Sequence, residues 1–117
     1  MRIFLATLFI FFCHFSQAMI INTGFEPVFG VQAGAHVYVA NQDSNTVTVI
    51  DTDKNTPIMH IKVGLRPISM VATSKYIYVN NSTSNTVTVI DHQKNQVSTT
   101  IKVDNGAYYS YTYDKYV

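Results

Sequence analysis

The sequence predicts an all-β protein built from a repeated four-stranded unit. The first observation is an internal repeat, because the eight residues SNTVTVID at positions 44–51 return unchanged forty positions later, at 84–91. The second is that short β-branched and aromatic runs alternate with polar turn residues through both copies. Four antiparallel strands in each unit of fixed period are typical of the blades of a β-propeller. Eight short strands would also build a sandwich, but a sandwich does not need near-identical turns at a fixed period.

Each copy is predicted to contain four strands separated by polar turns. In the third strand, TVTVI at residues 46–50, valine and threonine alternate, so the valines share one face of the sheet. In the fourth strand Pro57 has no N–H to donate, and it is therefore expected at the start of that strand or on a sheet edge. The predicted strands are 28–33, 37–41, 46–50 and 57–63 in the first copy, and 68–73, 76–81, 86–90 and 97–103 in the second.

Residues 1–18 are predicted to be a secretory signal peptide. Arg2 gives a positive start, residues 3–12 are almost wholly apolar, and Ser16-Gln17-Ala18 places small residues at the two positions that a signal peptidase reads. The apolar run is shorter than the roughly 18 residues of a membrane-spanning helix, which favours cleavage before Met19 over a permanent anchor. We therefore expect an exported protein, periplasmic, cell-surface or extracellular, that meets the membrane only through this peptide during export.

Residues 19–117 are predicted to form one repeat region. Blade 1 covers residues 26–63, blade 2 covers residues 66–103, and residues 106–117 begin a partial blade 3. Two blades and the start of a third make an incomplete ring, because propellers close with about four to eight blades. Three explanations stay open: a fragment of a longer gene, a degraded reading frame, or a short protomer that closes a ring by oligomerising.

The composition of this region excludes one class of partner. Beyond the predicted signal, Arg66 and six lysines balance Glu26 and six aspartates, so the formal charge is zero. A nucleic-acid-binding protein needs a basic face, and we expect none here. The single cysteine, Cys13, lies in the predicted signal, so an exported domain without disulfides depends on its core or on partner chains.

No catalytic, cofactor-binding or metal residue is assigned from the sequence, and no cofactor is expected. His36, His60 and His92 do not show the spacing of a zinc site and are interpreted as ordinary strand and turn residues. The segment DTDKN at 51–55 lacks the glycine and distal glutamate of a calcium loop, so it is interpreted as a polar turn. Glu26, the only glutamate, has no paired carboxylate in view. Five tyrosines near the C-terminus could form a recognition patch, but packing against a neighbouring blade is favoured: Tyr108, Tyr109, Tyr111, Tyr113 and Tyr116.

The repeat resembles a known family. YVAN at 38–41 and YVNN at 78–81, each followed by SNTVTVID and then by IKV, are similar to the YVTN family of β-propeller repeats. The resemblance covers residues 24–117 and implies a propeller fold. The family's repeats occur in bacterial and archaeal envelope and surface-layer proteins, and related propellers are haem or copper enzymes or lactonases. The chain departs from the pattern at 104–108, where alanine stands in place of proline.

These observations lead to three functional expectations. The first is an exported, non-catalytic propeller repeat fragment that serves as a protein-interaction or envelope scaffold, with an unidentified protein partner or self-association through open blade faces. The alternative is the N-terminal remnant of a lactonase-like or redox propeller enzyme whose site lies in missing blades. The third is a short propeller that assembles from several copies of itself.

Overall fold

A computed structural model describes residues 19–104, and this part of the chain contains eight β-strands and no helix. No segment of it is therefore a helix long and apolar enough to cross a membrane. The strands are β1 Pro27–Ala33, β2 His36–Asn41, β3 Thr46–Asp51, β4 Thr56–Lys62, β5 Pro67–Ala72, β6 Tyr76–Asn81, β7 Thr86–Asp91 and β8 Gln96–Lys102.

The strands form two four-stranded antiparallel sheets, in the orders β1-β2-β3-β4 and β5-β6-β7-β8. We call the first sheet blade 1 and the second blade 2. The predicted all-β class and the eight predicted strands are confirmed, with ends that differ by one residue at most. The predicted signal peptide and the predicted start of blade 3 lie outside the described residues.

Irregularities in strand pairing recur at equivalent positions of both blades. One extra residue bulges from the first strand of each blade, at Val28 and Ile68, and another from the last strand, at Ile58 and Ser98. Pro57 is the second residue of β4, which forms the edge of its sheet, as the missing N–H of proline requires. The repeat therefore reproduces even the local departures from regular pairing.

The hydrophobic core lies between the two blades. Each blade has a Tyr face, which carries Tyr38 or Tyr78, and an Asn face, which carries Asn41 or Asn81. The buried cluster combines the Tyr face of blade 1 with the Asn face of blade 2, and β5 packs against β1 and β2. Its buried members are Ala33, Tyr38, Ala40, Val47, Val49 and Ile61 from blade 1, and Met70, Ile77, Val79 and Ile90 from blade 2.

This arrangement gives the alternating valines of the repeat their role. Val47 and Val49 point to the same face of β3, and both are fully buried against blade 2. Ile50 points to the opposite face and is 8% exposed. A single blade could not bury both of its faces, so the stability of each blade depends on its neighbour.

Candidate functional site

The turn between the second and third strands is built by the serine and asparagine of the repeat. Ser44 Oγ accepts the N–H of Phe25 at 3.2 Å and bonds to the hydroxyl of Thr46 at 3.0 Å. Asn45 has φ of 58°, a left-handed conformation that asparagine tolerates better than most residues. Its Oδ1 accepts the N–H of Arg66 at 2.8 Å and so ties blade 1 to the start of blade 2.

A buried amide lies beneath this turn. Asn41 is fully buried, and its Nδ2 donates to the hydroxyls of Thr46 at 3.1 Å and Thr48 at 2.8 Å. In blade 2 Asn81 makes the same two bonds, to Thr86 and Thr88. Within residues 19–104 neither asparagine Oδ1 has a hydrogen-bond partner. The threonine hydroxyls of the repeat thus accept hydrogen bonds from the buried asparagine amide in each blade.

Glycine is required where the preceding segment crosses this amide. A Cβ at Gly64 would lie 2.6 Å from Ser84 Oγ and 2.7 Å from the side chain of Asn81. A Cβ at Gly24 would lie 2.3 Å from Ser44 Oγ in blade 1. All three distances are too short for a carbon atom, so the recurrence of glycine at these positions reflects close packing.

The aspartate of the repeat closes the turn between the third and fourth strands. Asp51 Oδ1 accepts the N–H groups of Asp53 at 2.8 Å and Lys54 at 3.0 Å. The hydrogen bond from Lys54 is the main reason that the pKa of Asp51 lies below its ordinary value of 3.8. Asp91 makes the equivalent bonds to residues 93 and 94. One carboxylate oxygen is therefore already engaged by the backbone, which favours the polar-turn interpretation over a calcium loop.

Two of the three histidines in residues 19–104 have a ring nitrogen hydrogen-bonded within the protein. Thr48 accepts from Asn41, so its hydroxyl hydrogen is available for Nδ1 of His60, 2.9 Å away. His92 Nε2 lies 2.9 Å from the carbonyl oxygen of Thr73, which can only accept, so this nitrogen carries the hydrogen. His36 makes an edge-to-face contact with the Tyr38 ring. In residues 19–104 no three histidine, cysteine, aspartate or glutamate side chains cluster as metal ligands.

Glu26 also has a backbone role. Its φ is 53°, and its carbonyl oxygen accepts the N–H of Gln42 at 2.8 Å. Arg66 takes the equivalent position in blade 2 and accepts from Ser82 at 2.9 Å. Both side chains are exposed. The five tyrosines of the predicted recognition patch lie outside the described residues.

Sequence reasoning missed the role of Tyr38. This side chain is fully buried, and its hydroxyl donates across the blade interface to the carbonyl of His92, 3.2 Å away, and to Oδ1 of Asn95. Burial, followed by the nearby charge of Asp91, raises the pKa of Tyr38 above 10.0. The signal was present in the sequence, because tyrosine recurs at positions 38 and 78 and asparagine at positions 55 and 95. Their spacing shows the recurrence but not that they meet across two blades.

One open recess lies where the turns of the two blades meet. It has a volume of about 310 Å³ and is lined by Gln42, Arg66, Ile68, Ser82 and Thr83. The lining combines an exposed guanidinium, an amide and two hydroxyls, which can bind a carboxylate or another polar group. Among the described residues that line it, no nucleophile is paired with a base.

Comparison with known proteins shows that the fold of this chain is similar to parts of solved structures. No protein-family model matches the chain, and no curated protein matches it. Hydrazine synthase from Kuenenia stuttgartiensis has a similar structure, with a TM-score of 0.66 and 23% identity over 79% of this chain and 27% of that one. The structure of apo AztD from Citrobacter koseri matches with a TM-score of 0.64 and 19% identity, over 73% of this chain and 26% of that one. A second structure of Citrobacter koseri AztD gives a TM-score of 0.63.

The fold and these neighbours define the class of the protein as propeller-like. Two four-stranded blades pack face to face around a shared core, and the described residues do not close a ring. The chain spans about a quarter of the length of the solved structures it matches.

Proposed function

We propose that this chain is an exported, non-catalytic propeller repeat protein of YVTN type that serves as a protein-interaction or envelope scaffold. The observation that carries this proposal is the use of the repeat's polar side chains. Ser44 and Asn45 bond to the backbone of the segments that begin the blades, and Asp51 bonds to the backbone of its own turn. The groups that the sequence offers for chemistry are used to build blades.

The surfaces that remain for binding a partner would recognise it mainly by shape. The recess beside Arg66 is open. The outward face of blade 1 carries the half-buried valines Val37 and Val39, and that of blade 2 carries half-buried Tyr78 and Val87. A rigid antiparallel sheet that presents such a face suits the recognition of another protein. Export is supported by the charge and apolar pattern of residues 1–18.

The alternative is a piece of a propeller enzyme. The observation in its favour is that a protein named hydrazine synthase contains a region of this fold that makes up 27% of its length. At 23% identity the likeness extends to the fold alone. On this alternative the reacting groups lie in further blades, and the two described blades support them.

Two measurements test the proposal. Expression with residues 1–18, followed by mass spectrometry of the exported product, should give a chain that begins at Met19. Thermal unfolding with added calcium, zinc or haem, and again with a chelator, should leave the melting temperature unchanged, because a ligand that binds the folded state raises it. Retention of residues 1–18 contradicts cleavage before Met19, and failure to find the chain in the exported fraction contradicts export. A clear shift with one cofactor, or turnover of a lactone, contradicts a non-catalytic scaffold and supports the enzyme alternative.

A further inference from the structure

We propose that the Tyr face of blade 2 binds the Asn face of blade 1 in a second copy of this chain, so that copies join head to tail. The inference rests on the proposed function as a propeller repeat scaffold and names the partner of its blade faces. The same pair of faces already meets inside one chain, where the Tyr face of blade 1 packs on the Asn face of blade 2. A second copy would pair the outer parts of the same two kinds of face.

The Tyr face of blade 2 is incompletely covered. Ile61 on the Tyr face of blade 1 is 6% exposed, whereas its equivalent Ile101 is 45% exposed. Val47 is fully buried, and its equivalent Val87 is half-buried. The centre of the blade 2 face is already covered, because Val89 is 4% exposed. The outer half is therefore what a second copy would bury; we call it the open patch, formed by Tyr78, Val87, Ile101 and Val103.

The Asn face of blade 1, on the opposite surface of the molecule, is also less buried than its equivalent in the other blade. On the Asn face of blade 2, Ile77 and Val79 are fully buried against blade 1. Their equivalents on blade 1, Val37 and Val39, are half-buried. Each copy thus offers one partly covered face of each kind. A surface that is complementary to a different surface of the same molecule makes a head-to-tail contact, which closes a ring when the rotation allows.

A pair of polar side chains supports this arrangement of the two copies. Inside the chain the hydroxyl of Tyr38 donates to Oδ1 of Asn95 in the β7–β8 turn of the neighbouring blade. Tyr78 is the equivalent tyrosine, and Asn55, in the β3–β4 turn of blade 1, is the equivalent acceptor. Asn55 is exposed and Asn95 is half-buried, although both have φ of 53°. Within residues 19–104 neither the Tyr78 hydroxyl nor the Asn55 side chain makes a hydrogen bond, so each lacks the partner that its repeat has.

A head-to-tail contact produces a ring when the rotation between copies closes, and propeller rings contain about four to eight blades. The assembly should be discrete, because a closed ring leaves no blade face open for further addition.

The test uses sedimentation velocity on the chain from Met19 onward at micromolar concentration. We expect a discrete oligomer for the natural sequence. The variant Ile101→Asp should be a folded monomer, because a charge on the open patch opposes burial and Ile101 is already 45% exposed in one copy. Circular dichroism should show the same β-sheet signal for this variant, which separates loss of assembly from loss of folding.

A second set of variants tests the polar pair. Tyr78→Phe and Asn55→Gly should each weaken association about tenfold, since each removes one hydrogen bond across the interface and glycine keeps the left-handed backbone. The double variant should be no weaker than either single variant, because the two groups form one bond. Asn95→Gly is the matched control: it should leave the association constant unchanged and lower the melting temperature of the protomer.

The outcomes distinguish this inference from the proposed function. A folded monomer at all concentrations overturns head-to-tail assembly and leaves the scaffold proposal standing. An oligomer that persists in Ile101→Asp overturns it too, because the contact then lies elsewhere. A cofactor that shifts the melting temperature overturns the scaffold proposal instead, whatever the oligomeric state.

Discussion

The two blades share eight identical residues in a row and yet differ in how those residues are buried. Val47 and Val87 occupy the same position of the repeat, but the first is fully buried and the second is half-buried. The first strands of the two blades differ in the same way, since Gly30 in β1 is exposed and Met70 in β5 is 2% exposed. Both differences arise from neighbours. Blade 2 covers the Tyr face of blade 1, where Val47 lies, and blade 1 covers the Asn face of blade 2, where Met70 lies. In the described part of the chain no further blade covers the two equivalent faces.

The hydrogen bonds of the repeat's asparagine and aspartate are the same in both blades. Asn41 and Asn81 each donate to two threonines, and Asp51 and Asp91 each accept from two backbone N–H groups. Local sequence therefore determines the turns and the buried amide, whereas the packing of a blade face depends on the next blade. In a repeat protein these contributions are separate terms, intrinsic stability and interface stability.

The largest expected effect comes from deleting the same side chain in the two blades. Ile61→Ala removes a side chain that is 6% exposed and should lower the free energy of unfolding by about 2 to 4 kcal/mol. Ile101→Ala removes one that is 45% exposed and should cost about 1 kcal/mol or less in a monomer. Urea denaturation at low protein concentration measures both. Equal costs would show that Ile101 is as well covered as Ile61, contrary to the comparison.

A smaller loss of stability, equal in the two blades, is expected at the glycines that pack against residues of their own blade. Gly24→Ala and Gly64→Ala each force a Cβ against the buried asparagine and the serine of the repeat turn. We expect a cost of about 1 to 3 kcal/mol for each, as in other overpacked sites. Gly34→Ala is the control, since its φ of 59° carries backbone strain but no atom lies within 4 Å of the added carbon. Thermal unfolding measures the melting temperature of each variant. If the melting temperatures of Gly24→Ala and Gly64→Ala differ by more than the change caused by Gly34→Ala, the cost does not have a purely local cause.

Sequence reasoning predicted the strands well because their signals are local. Alternation in TVTVI, the missing donor of Pro57 and the polar turns all act within a few residues, and each strand was found within one residue of its predicted ends. The buried role of Asn41 was not predicted. Asparagine is usually exposed, and only the folded blade shows that two threonine hydroxyls meet its amide.

The hydrogen bond between the two blades could not be predicted from the sequence for a different reason. The sequence shows that Tyr38 and Tyr78 recur, but the acceptor of Tyr38 lies 57 residues away in the chain, at Asn95. No local pattern encodes how one blade is placed on the next. The spacing of the histidines argued against a metal site, and the structure adds hydrogen-bond partners for His60 and His92.

A third effect is expected from the cross-blade hydroxyl. Tyr38→Phe removes the donor to His92 and Asn95, and should lower the free energy of unfolding by about 1 kcal/mol at neutral pH. The pKa of Tyr38 is raised above 10.0 in the folded protein, so this contribution is present below pH 10 and is lost as the pH rises through the folded pKa. Unfolding curves at increasing alkaline pH should therefore converge for the natural chain and the variant. In a monomer Tyr78→Phe should cost less, and a cost equal to that of Tyr38→Phe would contradict the difference between the blades.

The smallest effect is expected at the exposed turn of blade 1. The hydrogen bond from the Lys54 N–H, together with that from Asp53, lowers the pKa of Asp51 below 3.8, so ionised Asp51 stabilises the fold above that value. This contribution is lost as the pH falls through the lowered pKa of the folded state. In Asp51→Asn the amide oxygen can still accept both N–H groups, but it does not titrate, so the variant should lose less stability than the natural chain between pH 4 and pH 2. Acid unfolding monitored by circular dichroism measures this difference, and parallel curves for the two proteins would show that the turn carboxylate makes no charge-dependent contribution to the blade.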